Sequence, residues 1–349
     1  MLRKVIRAIL WFLLFIIVAF AAFLAYQTFS EFKPPKELSF QVSAKADTIG
    51  DSLTITTWNL GYFGLGQDMD FFYEGGTMVR PTKAQNEKYT EACISRIKSF
   101  SKSDFIFLQE VDTSSGRSYL HNQLKQISAE MPSYSGYFAM NYNAWVPIPP
   151  VNPMGKVRAG QVTLSRAHPV SAKRVSFQSS YEWPMRLFQL KRCFLETRFI
   201  TRNGKELVLI NTHNSAFDDA AALRAKELNA LKQLMLTEYQ KGNYVIIGGD
   251  WNQNPPPYDS TKVLPIYKAR MIRPGIPADF LPQGWSYAFD PLHTTNRYVD
   301  IPYTEGKTFS TLIDFFVLSP NIRLEEVSAI PTAFKESDHQ PVRMKVILQ

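Results

Sequence analysis

The chain has 349 residues, 45% of them apolar and 20% charged, with 39 Lys and Arg against 31 Asp and Glu for a formal charge of +8. These proportions are those of an ordinary globular protein and exclude a disordered chain, a collagen-like repeat and a polytopic membrane protein. Two cysteines in this length also exclude a disulfide-built scaffold and a structural zinc module of four Cys ligands.

The first element is an uncharged run from Ala8 to Tyr26, AILWFLLFIIVAFAAFLAY. As a helix it would span roughly 28 Å, close to the hydrocarbon thickness of a bilayer. Its length and bulky residues favour an uncleaved anchor. A cleavable signal peptide is the rival reading, because Ala19, Ala21, Ala22 and Ala25 stand near its end. Arg3, Lys4 and Arg7 precede the run, so the positive-inside rule keeps the short amino end cytoplasmic and exports the rest. Beyond residue 30 the chain carries 36 basic and 31 acidic residues, well short of the basic footprint of a dedicated nucleic-acid binder. Cys93 and Cys193 could pair in an oxidising compartment, but two buried free thiols are the blander reading.

Residues 31–50 are polar with Pro34–Pro35 and read as a linker, leaving 51–349 as one catalytic-sized domain. Leu53–Trp58 alternates as a strand should, and Gly61–Gly76 is an irregular, aromatic-rich loop. Lys83–Phe100 suits an amphipathic helix, Asp104–Gln109 a strand and Tyr119–Ala129 a short helix. Strands follow at Gly136–Met140, Gly160–Ser165, Arg192–Ile200 and Leu207–Asn211, the last two joined across the hairpin signal Asn203–Gly204. Asp218–Gln240 is the longest helix of the body and Tyr244–Gly248 a buried strand. Asn254–Leu281 is Pro-rich and irregular, and Ser310–Leu318 and Val342–Leu348 are late strands. Helices flanking a mostly β body predict a layered α/β sandwich.

Polar residues gather at the ends of these strands. Asn59, Glu110 and His213 each close an apolar run, and Asp250 closes YVIIGG with Asn252 two positions on. Asp314 lies inside an apolar run, where a carboxylate needs a partner. Ser337-Asp338-His339 stands just before the last strand. Singly each has an ordinary turn or solvated-edge explanation. Together they put oxygen ligands and two imidazoles on strand ends that can meet at one rim. Carboxylate and carboxamide oxygens suit Mg²⁺, with Mn²⁺ or Ca²⁺ as alternatives, and such an ion assists phosphoester hydrolysis.

The motifs TWNLG (57–61), LQEVD (108–112), NTHN (211–214), GGDWNQ (248–253), LIDFFVLS (312–319) and SDHQPV (337–342) resemble, in this order, the endonuclease/exonuclease/phosphatase superfamily. The resemblance implies a four-layer α/β/β/α sandwich behind the N-terminal transmembrane helix. It implies Glu110 as principal metal ligand, with Asn59 and Asp338 supporting the metal site. Asp250 would orient or deprotonate the attacking water, and Asn252 would hold that aspartate and the phosphate. His213 and His339 would contact phosphoryl oxygens, and Asp314 would orient His339. Tyr142, Lys156 and Arg158 are further candidates from a segment that departs from the family pattern.

Membership of such a family fixes phosphoester chemistry but not the ester. Three readings follow: a membrane-tethered phosphodiesterase acting on a lipid headgroup or small phosphodiester, a tethered nuclease cleaving DNA or RNA, and a binding protein that kept the fold without the chemistry. A tether of about 25 flexible residues would hold the domain within tens of Å of the bilayer. The apolar insertions 63–76 and 140–155 could bear on lipid or shape a cleft, and no protein partner is inferred.

Overall fold

The computed structural model describes residues 1–216, 221–258 and 274–349. Helix α1 (Leu2–Phe29) contains the whole apolar run and extends it at both ends. Of the segment read as a linker, Glu37–Ser39 (β1) and Thr48–Ile49 (β2) are strands instead. Their pairing with β7 (Ser171–Ser176) and β8 (Cys193–Thr201) ties the chain to the body directly after α1.

Two large sheets face each other. The six-stranded one runs β15 (Ile322–Ala329), β16 (Val342–Leu348), β3 (Ser52–Asn59), β4 (Phe105–Asp112), β6 (Gly155–Ser165), β5 (Ser135–Val146). The eight-stranded one runs β1, β7, β8, β9 (Glu206–His213), β10 (Tyr244–Asp250), β14 (Asp314–Leu318), β11 (Ser286–Ala288), with β2 beside β8. A separate ribbon joins β12 (Asn296–Arg297) to β13 (Ser310–Thr311).

Side-chain alternation of period two sorts each strand onto two cores. Ile55, Phe105, Phe107, Leu207, Leu209, Ile246, Phe316 and Met344 meet between the sheets. On the outer face of the eight-stranded sheet, Val208, Ile210, Val245 and Val317 pack against Leu228, Leu231 and Met235 of α4 (Ala222–Gln240). On the outer face of the other, Trp58, Ile106 and Leu108 pack against Cys93 and Ile97 of α2 (Lys83–Ser99) and Ile127 of α3 (Gln123–Glu130). The result is the α/β/β/α sandwich the sequence implies. Both cysteines are free and buried.

Several boundaries move. The helix expected over Tyr119–Ala129 begins only at Gln123, because Tyr119 and Leu120 have φ of 53° and 63° and turn the chain after a short 3₁₀ segment. The strand expected over Ser310–Leu318 is broken at Leu312–Ile313, where the backbone N–H groups of Ile313 and Asp314 both donate to Thr295 Oγ1 at 3.0 Å. Strand β7 has no clean alternation, and β15 is mostly polar on its open face, so neither stands out in the sequence. The expected start of the long helix at Asp218 and residues 259–273 of the Pro-rich stretch lie outside the described residues.

Candidate active site

The same alternation that builds the inter-sheet core delivers functional groups at the strand ends. Along β9, Leu207 and Leu209 point inward, so Asn211 and His213 do too; along β10 the inward series ends on Asp250. In β14, Asp314 opens the inward series that continues through Phe316 and Leu318. Register then sets His213, Asp250 and Asp314 side by side across three strands. Gly248 is required below them, since a Cβ there would lie 2.3 Å from the Phe316 ring.

From the other sheet, β3 ends on Asn59. Glu110 arrives by a bulge: the β4–β6 register shifts between Leu108 and Val111, and Glu110 has φ +55°. Leu108 and Val111 both face α2, so strict alternation would have sent Glu110 to that side as well. The bulge re-aims it to the rim, at a backbone cost on the order of 1–3 kcal/mol. Beneath the site, Gln109 Nε2 donates to Asn211 Oδ1 at 2.7 Å, and Asn211 Nδ2 donates to the Val162 carbonyl at 2.8 Å, bridging the sheets.

All eight predicted residues converge. Asn59 Nδ2 donates to Asp250 Oδ2 at 2.9 Å and lies 3.3 Å from Glu110 Oε1. His213 Nε2 is 3.5 Å from Asp250 Oδ2 and 3.9 Å from Glu110 Oε1. His339 Nε2 is 3.7 Å from Asp250 Oδ2 and 3.9 Å from Asp338 Oδ2, while its Nδ1 meets Asp314 Oδ2 at 2.8 Å. Asn252 holds Asp250 through its backbone, whose N–H donates to Oδ1 at 2.9 Å; its side-chain amide is tied to the Asn214 carbonyl at 3.0 Å. Glu110 retains 26% side-chain exposure where Asp250 and Asp314 are closed off, which makes it the acid open to the cavity.

Burial and neighbours separate the two imidazoles. Burial, reinforced by Arg192, pushes His213 down to about 3, so it is neutral at pH 7. Burial also opposes charge on His339, but Asp314, Asp250 and Asp338 outweigh it and raise it to about 10. Asp250 moves below the usual carboxylate range: burial works against ionisation, and His339, His213 and Asn59 overcome it. Burial raises Asp314 to about 6 and Asp338 to about 7, with Glu110 adding repulsion to Asp338.

A buried carboxylate pushed toward neutrality by a neighbouring acid is a place where a cation would be stabilised. Asp250, Asp314 and His339 present ligand atoms within 4.8 Å of one another. Asp314 Oδ2 and His339 Nδ1 are already spent on each other, and Asn59 Oδ1 accepts from the Gly61 N–H at 3.0 Å. The carboxylates of Glu110 and Asp338 are therefore the freer hard ligands and suit a divalent ion of the Mg²⁺ kind, with the Asn59 amide beside Glu110.

Three groups near the site carry no sequence signal of their own. The Asn296 amide lies 3.0 Å from His339 Nε2. Arg117, stacked 3.8 Å over the Tyr62 ring and paired with Asp112 at 2.9 Å, approaches Glu110 at 4.0 Å. Arg192 donates to the His213 carbonyl at 3.2 Å. Of the further candidates, Tyr142 lines the cavity over the site, whereas Lys156 and Arg158 do not; Lys156 borders a separate pocket beside α1.

Comparison with known proteins bears on the family and the fold. The model of the Endonuclease/Exonuclease/phosphatase family matches residues 56–339. Among solved structures, an endonuclease/exonuclease/phosphatase from Beutenbergia cavernae DSM 12333 superposes with a TM-score of 0.57 at 16% identity, over 85% of this chain and 72% of that one. One from Bacteroides vulgatus gives 0.52 at 16% identity, over 85% and 99%. TDP2 from D. rerio, complexed with a single-strand DNA product, gives 0.52 at 15% identity, over 84% and 98%. At these identities the likeness is one of fold. No curated protein matches the chain significantly.

Proposed function

The chain belongs to the endonuclease/exonuclease/phosphatase family, and we propose that it is a membrane-tethered, divalent-metal-dependent phosphodiesterase that works by attack of an activated water. The observation that carries this reading is the meeting of Glu110, Asp250, Asp338 and two imidazoles of opposite protonation preference within contact of one another in a single cavity.

In this reading Glu110 and Asp338 would hold the ion, Mg²⁺ being the expected one, and Asn59 supports the metal site through its amide beside Glu110. When bound, it supplies Lewis-acid stabilisation of charge on the phosphoryl oxygen and leaving group. Asp250, ionised at neutral pH and fixed by Asn59 Nδ2 and the Asn252 N–H, takes the proton from the attacking water. His339, kept cationic by Asp314, donates from Nε2 to a phosphoryl oxygen whose charge grows in the transition state. His213 donates to the same group as a neutral imidazole. The body from β1 onward, residues 37–349, forms the catalytic unit and α1 the anchor, with a cytoplasmic amino end and an extracytoplasmic active site. Secretion after signal cleavage is the alternative.

A nuclease is the second reading, favoured by the structural likeness to a protein bound to a DNA product. Turnover of a panel of phosphomonoesters, phosphodiesters and plasmid DNA, with and without EDTA, tests both. Metal-dependent cleavage of small diesters supports the first, DNA as the only substrate supports the second, and no turnover by folded, metal-loaded protein supports a binding role.

A further inference from the structure

The anchor helix does not hang from a flexible tether; its last turns are docked on the catalytic body. Phe20, Phe23, Leu24 and Gln27 recur at the spacing of one helix face. Phe23 packs edge-on against Trp145 at 5.8 Å and stacks on Phe188 at 6.0 Å. Trp183 Nε1 donates to Thr28 Oγ1 at 3.2 Å. Just beyond, the Glu31 side chain is buried against Lys191 at 2.6 Å and Arg186 at 3.4 Å.

This docking closes one wall of the catalytic cavity. A single cavity of about 870 Å³ is lined both by Asp250, His213 and His339 and by Phe20, Phe23 and Leu24 of α1. The rest of its lining is largely apolar and aromatic, Phe71, Tyr142, Met154, Met185 and Phe188 among them. The docked face overlaps the end of the uncharged run Ala8–Tyr26, which is roughly one bilayer thickness long. With α1 as the anchor proposed above, the part of the cavity that it lines would lie at the depth of lipid acyl chains, and Trp145, Ile148 and Met185 of the lining, with Trp183 beside α1, are all exposed.

We propose that α1 is part of the substrate site: the cavity admits, from the side of the bilayer, a phosphodiester carrying an alkyl chain, with the phosphate among Asp250, His213 and His339 and the chain lying against Phe23, Met185 and Phe188. This rests on the hydrolase reading above and adds the substrate class to it. A polyanionic nucleic-acid strand would leave the apolar length of the cavity unmatched, whereas an alkyl chain removes that surface from water together with its own.

The test is a series of phosphodiesters with one headgroup and an alkyl chain lengthened from methyl to dodecyl. They are assayed as monomers with the full-length, metal-loaded protein in nanodiscs. The slope of kcat/KM against chain length is expected to be about three- to fourfold per methylene until the groove is filled. Phe23→Ala and the exposed-site variant Met185→Asp are expected to lower the ratio of long-chain to short-chain kcat/KM, a ratio that a loss of folded protein does not change. Turnover that is independent of chain length, a ratio unaltered in both variants, or faster cleavage of an oligonucleotide than of every alkylated ester would overturn the inference while leaving the hydrolase intact. Failure to cleave any ester of the series or the oligonucleotide would remove the hydrolase reading and this one with it.

Discussion

Asp314 Oδ2 lies 2.8 Å from His339 Nδ1, with both side chains buried. Asp314 opens β14 of one sheet and His339 stands in the loop that leads into β16 of the other, so their contact couples the sandwich at its rim and fixes which imidazole nitrogen faces Asp250. Asp314→Asn keeps the shape while withdrawing the charge that holds the imidazolium. The expected outcome is a kcat lower by about 10²–10⁴, with KM changed only a few-fold and the unfolding transition retained. Steady-state kinetics on a soluble diester check it; an unchanged kcat would remove His339 from the chemistry.

Gly61 offers a steric test of the same rim. It has φ +49°, its N–H donates to Asn59 Oδ1 at 3.0 Å, and a Cβ would stand 2.5 Å from Asp338 Oδ1. Gly61→Ala is expected to cost about 1–2 kcal/mol in backbone strain and to displace Asp338. Activity should therefore fall by more than the loss of folded protein explains. Denaturant titration and kinetics on one preparation separate the two effects.

The metal assignment predicts a binding defect. Glu110→Gln keeps the side-chain size and removes the charge open to the cavity. Apparent Mg²⁺ affinity, followed as activity recovered after EDTA treatment, should fall at least about tenfold. Wild-type protein at an ion concentration about 100 times its Kd should also gain roughly 2.7 kcal/mol against unfolding. Equal Mg²⁺ dependence in wild type and variant would point to another ligand set.

Away from the site, Glu238 sets a pH dependence of stability. Burial disfavours its ionised form, but hydrogen bonds from Arg198, Lys241 and Asn243 outweigh this and hold it at about 2, against 4.5 ordinarily. Because the folded value is the lower one, the stabilisation is complete above about pH 4.5 and is lost as pH falls through about 2. Denaturant midpoints across that window should decline less steeply for Glu238→Gln than for wild type. Parallel curves would contradict the assignment.

The sequence is most legible where a strand alternates cleanly and ends on a polar group. Asn59, His213 and Asp250 follow that rule, and the register of β9 and β10 then needs nothing further to bring them together. Glu110 follows it only because a bulge overrides alternation, and no pattern in LQEVD announces that bulge. Asn296, Arg117 and Arg192 act through contacts between segments distant in the chain, such as the pairing of β12 with β13, which leave no local trace. The docking of α1 was invisible for a similar reason. Its face spacing is submerged in a run that is apolar on every side, and the segment 31–50 reads as polar linker although two of its pieces are strands.

The central claim is that Asp250 stands at the focus of a metal-assisted phosphoryl site. Its most direct test is the rate of bis(p-nitrophenyl) phosphate hydrolysis by full-length protein and by Asp250→Ala, each with Mg²⁺, after EDTA, and after Mg²⁺ is restored. The expected result is turnover by wild type that EDTA abolishes and Mg²⁺ returns, with Asp250→Ala slower by about 10²–10⁴ in every metal-loaded state. Hydrolysis at the wild-type rate by folded Asp250→Ala, or a rate indifferent to EDTA, would contradict the claim.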